Sequence, residues 1–123
     1  MTDTIQALPQ IPPLLPARRV GELMILSGQI GQDADTGILP DDIGAQTANA
    51  IDRLARVVEE EGGSIGDIVR VGIYLTDMSD YAAVNAVYAS RFTPPYPART
   101  AVAVAALPFG ARVEMDALAI ART

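Results

Sequence analysis

Four side chains have the type and setting to do chemistry. Arg99 opens an apolar segment directly after Pro94, Pro95 and Pro97. Three prolines in four positions restrict the backbone, so the guanidinium fork can be held in one direction, which suits bidentate capture of a carboxylate. The same residue would also serve as a surface or interface arginine beside an acidic neighbour. Glu114 lies in a segment where Val113, Met115, Ala117 and Ala119 form one face of a strand, and Arg112, Glu114, Asp116, Leu118 and Ile120 form the other. Leu118 and Ile120 beside two carboxylates point to a surface partly covered by a neighbouring subunit. There a shielded glutamate can act on a water, or form an interface salt bridge. Asn85 falls on an otherwise apolar helical stripe, where an amide needs partners or costs about 1 to 3 kcal/mol. Ser27, before Gly28 at a strand end, reads as a turn or as a ligand contact.

These groups matter because the chain has no Cys, no His and no Trp. Thiolate nucleophiles, disulfides, serine–histidine triads and imidazole or thiolate metal ligands are excluded. Catalysis is left to carboxylates, Arg, Tyr, amides, hydroxyls and water. A net charge of −6 with scattered basic residues argues against nucleic acid as a partner. No segment approaches the roughly 20 apolar residues of a membrane span, and the first residues carry no basic stretch followed by an apolar one. The expectation is a cytoplasmic protein without a membrane partner.

The elements that must position these residues follow from periodicity. The 123 residues, half of them hydrophobic, read as one domain. Residues 1–16 form a proline-rich arm, expected to lie extended over the surface. Leu23 to Leu26 reads as a short buried strand ending at Ser27-Gly28-Gln29. A helix of about five turns starts at Asp41 or Asp42, buries Ile43, Ile51, Leu54, Ala55 and Val58, and stops at Gly62-Gly63. Ile68 to Leu75 is a strand with Val69, Val71, Ile73 and Leu75 on one face. Asp77 or Ser79 caps a second helix whose inward stripe is Tyr81, Val84, Asn85 and Tyr88. Thr100 to Ala106 and Ala111 to Ala121 close the chain as strands. The pattern predicts an α+β fold with two helices covering one face of a mainly antiparallel sheet. Its apolar surplus points to a homo-oligomer.

Taken in order, Ser27-Gly28-Gln29, Gln46-Thr47, Gly72 to Met78, Val84 to Tyr88, Pro97-Ala98-Arg99-Thr100, Leu107-Pro108 and Val113-Glu114 resemble the RidA/YjgF family over roughly Val20 to Ala121. The resemblance implies a chorismate-mutase-like α+β fold with a six-stranded sheet, and a homotrimer with ligand clefts between subunits. It also implies cofactor-free hydrolysis of 2-imino or 2-enamino acids, such as 2-aminoacrylate, to 2-oxo acids and ammonia. Carried over by position, Arg99 binds the substrate carboxylate, Glu114 positions water, and Ser27, Gly28, Asn85 and Thr100 complete the binding set. Two positions depart from the family: Leu14 stands where typical deaminases carry a tyrosine, and Ala101 where some carry a cysteine. A non-catalytic carboxylate-binding or holdase trimer, and the endoribonuclease activity claimed for some relatives, are the rival readings.

Overall fold

A computed structural model describes residues 12–121, so most of the expected proline-rich arm lies outside the described residues. Its last part is tied to the body, because Ser27 N–H donates to the Pro16 carbonyl at 2.9 Å. The chain then forms strands β1 (Ala17–Val20) and β2 (Leu23–Ile30), helix α1 (Ile43–Glu60), strand β3 (Ile68–Leu75), helix α2 (Tyr81–Arg91), and strands β4 (Ala98–Ala103) and β5 (Val113–Ile120). Among the described residues the sheet has five strands, not six, in the order β1-β2-β5-β3-β4.

The sheet is also mixed. β1, β2, β5 and β3 pair antiparallel, whereas β3 and β4 pair parallel. The reason is the connection: α2 returns the chain to the starting end of β3, and a helical crossover of this kind joins parallel strands. The fourth strand begins at Ala98, two residues earlier than expected, which puts Arg99 inside the ladder opposite Val71.

Helix α1 begins as the sequence predicts. Asp42 accepts from the Ala45 N–H at 2.8 Å, and Gly62, with φ of +91°, follows the last turn where a side chain would be strained. Its inward face carries Ala50, Ile51, Leu54, Val57 and Val58, and also the polar Gln46 and Thr47. Both polar groups are satisfied. Gln46 donates to the Pro40 carbonyl at 2.7 Å and accepts from the Arg112 N–H at 2.9 Å, and Thr47 donates to the Ile43 carbonyl. Asp77, expected at the second helix, instead accepts from Ser79 N–H in a 3-10 turn over Met78–Asp80 that leads into α2.

The core lies between the helices and one sheet face. Met24, Leu26, Val71, Ile73, Leu75, Val113 and Met115 meet Ile51, Leu54, Val58, Val84 and Tyr88 there. Burying each large aliphatic side chain contributes roughly 1.5 to 3 kcal/mol, so this face orients every strand. In β3 the expected alternation fails at its first turn. A register irregularity between Ile68 and Arg70 buries Ile68 and leaves Val69 exposed. Among the described residues no helix covers the other sheet face, and Ile25, Val102 and Ile120 are exposed. No helix among the described residues is long and apolar enough to cross a membrane.

Candidate active site

The parallel pairing of β3 and β4 decides where Arg99 points. It stands opposite Val71, a core residue, so its side chain takes the helix side of the sheet and reaches α2. There its Nη2 donates to the Asn85 side-chain oxygen and, at 3.1 Å, to the Tyr81 hydroxyl. Its guanidinium carbon lies 4.8 Å from the Tyr88 ring centroid and 5.5 Å from that of Tyr81, within the range of cation–π attraction. Tyr81, Asn85 and Tyr88 follow one another at helical spacing, so one face of α2 grips the guanidinium from three sides. Among the described residues only Nη2 forms hydrogen bonds, and the rest of the fork is available to a bidentate acceptor. The guanidinium in turn pulls the Tyr81 hydroxyl below its ordinary pKa, by hydrogen bond first and charge second.

Glu114 belongs to the other face. It stands opposite Tyr74 of β3, and its neighbours Val113 and Met115 are buried on the helix side. The register of β2 against β5 shifts between Leu26 and Gln29, placing Ser27 and Gly28 in a bulge beside it. A Cβ on Gly28 would lie 2.2 Å from Glu114 Oε2. The bare α-carbon is therefore the seat of this carboxylate. Burial against that backbone raises the Glu114 pKa, and the charge of Asp116 adds to the effect. Ser27 spends its hydroxyl on the Leu15 carbonyl at 2.6 Å, tying the end of the arm over the bulge.

Two groups thus emerge from the sequence-predicted residues. Arg99 and Asn85 come together on the helix side, and Ser27, Gly28 and Glu114 come together on the open side. Thr100, opposite Gly72, also takes the open side, away from Arg99. Within one chain the sheet separates the guanidinium from the carboxylate. A groove of about 490 Å³ on the open side is lined by Leu14, Leu15, Arg18, Ile25 and Ser27 and includes neither Arg99 nor Glu114. We take the two side-chain groups, not this groove, as the chemical site, because the groove offers only one charged side chain. Tyr81 and Tyr88 were read from the sequence as core stripe residues. Their contact with Arg99 was legible only as a shared helical face, since nothing local to α2 signals which strand residue will face it.

Residues 4–121 match the family described as Endoribonuclease L-PSP. A 2-iminobutanoate/2-iminopropanoate deaminase of Escherichia coli is 39% identical over 106 residues, covering 84% of this chain and 83% of that one. A RutC family protein of Pyrococcus abyssi is 40% identical over 117 residues, covering 94% and 92%. Among solved structures, the YjgF gene product of E. coli superposes with a TM-score of 0.87 at 37% identity, covering 92% of this chain and 91% of that one. With a family match across nearly the whole described chain, the protein belongs to the Endoribonuclease L-PSP family, which is the YjgF/RidA family that its ordered motifs resemble.

Proposed function

We propose that the protein is a cofactor-free deaminase of small 2-imino or 2-enamino acids, working in clefts between the subunits of a homotrimer. The observation that carries this reading is a gripped guanidinium and a seated, proton-hungry carboxylate, each complete in itself and set on opposite faces of one sheet. Neither half can use the other in the same chain, whereas the helix side of one copy at its β4 edge can meet the open sheet face of the next. The relative named as a 2-iminobutanoate/2-iminopropanoate deaminase supports the substrate class.

In this scheme Arg99 holds the substrate carboxylate through its free nitrogens, and Glu114 of the adjoining copy holds a water beside the imine carbon. Glu114 removes a proton as the water oxygen bonds to carbon. The carbon–nitrogen double bond becomes single, and its electron pair on nitrogen takes the proton back from Glu114, which gives a neutral carbinolamine. Glu114 then takes the carbinolamine hydroxyl proton and passes it to the nitrogen as the carbon–nitrogen bond breaks, which leaves the 2-oxo acid, ammonia and an ionised Glu114. Imines hydrolyse readily in water, so a few kcal/mol of positioning is enough, at 1.36 kcal/mol per tenfold in rate. A general base typically contributes about a hundredfold or more.

A mixing experiment tests the shared cleft. Arg99→Ala and Glu114→Gln chains, each inactive alone, are co-expressed and the released ammonia is measured. If each site takes its two groups from different copies, random assortment restores about a quarter of wild-type activity. No recovery from purified mixed oligomers rejects the shared site.

One observation favours a second reading. The Arg99 group needs no other chain to bind a carboxylate, so the protein would also serve as a binding module without chemistry. Tight binding of 2-oxo acids by the wild type, with no ammonia from any imine offered, would select it. Ribonuclease activity, named in the family description, sits poorly with a net charge of −6 and no histidine.

A further inference from the structure

The open sheet face carries polar side chains that the reaction above leaves unused. Asp116 stands two residues beyond Glu114 on β5 and so shares its face. In the β3–β5 register Tyr74 lies opposite Glu114, and Gly72 lies opposite Asp116. The Tyr74 hydroxyl crosses to Asp116 and donates to its Oδ2 at 3.0 Å. The second oxygen, Oδ1, is buried with no donor among the described residues. This seat depends on Gly72, because a Cβ there would lie 2.2 Å from Asp116 Oδ1 and 3.1 Å from the Tyr74 hydroxyl oxygen.

The arrangement resembles the one one register pair away, where Gly28 seats Glu114. Both carboxylates rest on a glycine, both are drawn out of water, and they are neighbours on one strand face. An aspartate on an exposed strand would ordinarily swing into solvent, where its charge is screened. The tyrosine removes that freedom. With the other charged groups of this face in place, the Glu114 carboxyl is still pushed upward, by burial first and Asp116 second. Arg112, earlier on the same stretch, is engaged by Asp80 at 2.7 Å and by the Asp41 carbonyl. Arg70 of β3 shares this face, with its Nη1 3.3 Å from the same Gly72 Cβ position, but it forms no ion pair within 4.0 Å among the described residues. Ser27 and Gly28 of β2 and Thr100 of β4 carry no charge.

We propose that Asp116, pinned by Tyr74 over Gly72, is a positioning residue for the hydrolysis: its fixed negative charge makes Glu114 a stronger base toward the attacking water than a solitary glutamate would be. This rests on the deaminase reading of Glu114 and extends it to two residues that touch neither substrate nor water. The upward push that Asp116 exerts on the Glu114 carboxyl, second to burial, has the sign this requires. Tyr74, whose own hydroxyl is held protonated by Asp116 first and burial second, stays a donor through the working pH range.

The test reads Glu114 directly and the reaction separately. Side-chain carboxyl carbons of the full-length protein, labelled with carbon-13, are followed through a pH titration by NMR. In Asp116→Asn the Glu114 midpoint falls by about half to one pH unit, since a fixed neighbouring charge has been removed. In the same variant the acid limb of kcat/KM for an enzymatically generated 2-imino acid moves to lower pH by a similar amount. Its plateau kcat drops about threefold, as expected of a weaker base. Asp116→Glu, which keeps the charge, retains most of the wild-type midpoint. Tyr74→Phe, which keeps every charge and frees the aspartate to turn outward, lowers the midpoint by a smaller amount and decides the matter if Asp116→Asn fails to fold.

A Glu114 midpoint that stays put in Asp116→Asn, or in Tyr74→Phe where the former does not fold, overturns the inference while leaving the deaminase reading intact. A wild-type protein that shows the expected midpoint and releases no ammonia from any imine removes the deaminase reading, and the catalytic role of Asp116 goes with it.

Discussion

The Arg99 group and the Glu114 group solve different physical problems with different parts of the fold. Arg99 is gripped by one helix face, through a hydroxyl, an amide oxygen and two aromatic rings, and it remains half-buried at an edge strand. Its free nitrogens can meet an anion from solvent. Glu114 is held by strand register and by a glycine that lets the carboxylate lie on the backbone. Burial there raises its affinity for a proton. The contrast teaches that capture and proton transfer need opposite surroundings: a permanent charge kept solvated enough to attract its ligand, and a carboxylate dry enough to act as a base. Two faces of a single sheet supply both, and each can be perturbed without the other.

The largest effect is expected on the capture side. Arg99→Ala should lower kcat/KM for a 2-imino acid about a thousandfold, the ~4 kcal/mol that loss of a bidentate charged contact costs. Its melting temperature should stay within a few degrees of wild type, since the side chain is not in the core. Steady-state ammonia release and a thermal melt measure the two. An undiminished kcat/KM would mean that Arg99 does not hold the substrate.

On the other face the sharper probe is the seat, not the base. Gly28→Ala puts a carbon where Glu114 Oε2 now lies, 2.2 Å away, so the carboxylate must turn aside. Gly28 is itself exposed and its backbone φ is not in the left-handed region, so the fold should lose at most about 1 kcal/mol. The expected result is a fall in kcat of about tenfold or more with KM little changed, and an acid limb moved toward the usual carboxylate range as Glu114 gains water. The sign follows from the raised pKa: the base form is lost at higher pH in wild type than it would be for a solvated glutamate. A variant with kcat unaltered would show that the glycine seat has no part in the reaction.

The two regions also differed in how far the sequence disclosed them. The Glu114 face was legible because alternation in a strand has period two, so Val113, Met115, Ala117 and Ala119 assign Glu114 and Asp116 to the opposite side without knowledge of the neighbours. Helix α1 was legible for the same kind of reason, its cap and its stop being local. The partners of Glu114 were not, because the Gly28 bulge and the Gly72 gap depend on which strands become adjacent. The sheet is mainly antiparallel as expected, but the one parallel pairing, of β4 with β3, was not legible for the same reason. A chain with two closing strands reads as antiparallel unless one knows that α2 carries the chain back alongside β3. Arg99 was found as a residue, from its prolines, but its orientation required the parallel pairing with Val71. The exposure of Val69 in place of Ile68 has no signal in a run of four alternating aliphatics, since a bulge shifts the face without changing the pattern.

The smallest expected effect returns to the capture side and separates grip from chemistry. Tyr81 contributes one hydroxyl to Arg99, at 3.1 Å, and remains 38% exposed. A hydrogen bond of this kind is worth about 0.5 to 1.5 kcal/mol. Tyr81→Phe keeps the ring against the guanidinium and removes only the acceptor, so Arg99 keeps Asn85 and loses some orientation. KM should rise about two- to tenfold with kcat nearly constant, because the carboxylate is bound as firmly in the transition state as before it. The reciprocal measurement uses the tyrosine as the reporter. The guanidinium lowers the Tyr81 pKa, so in Arg99→Ala the phenol should ionise at higher pH, and an ultraviolet titration of the phenolate should show one tyrosine moved upward. If Tyr81→Phe instead depressed kcat as strongly as Gly28→Ala, the helix face would be taking part in the chemical step, and the division of labour between the two faces of the sheet would be wrong.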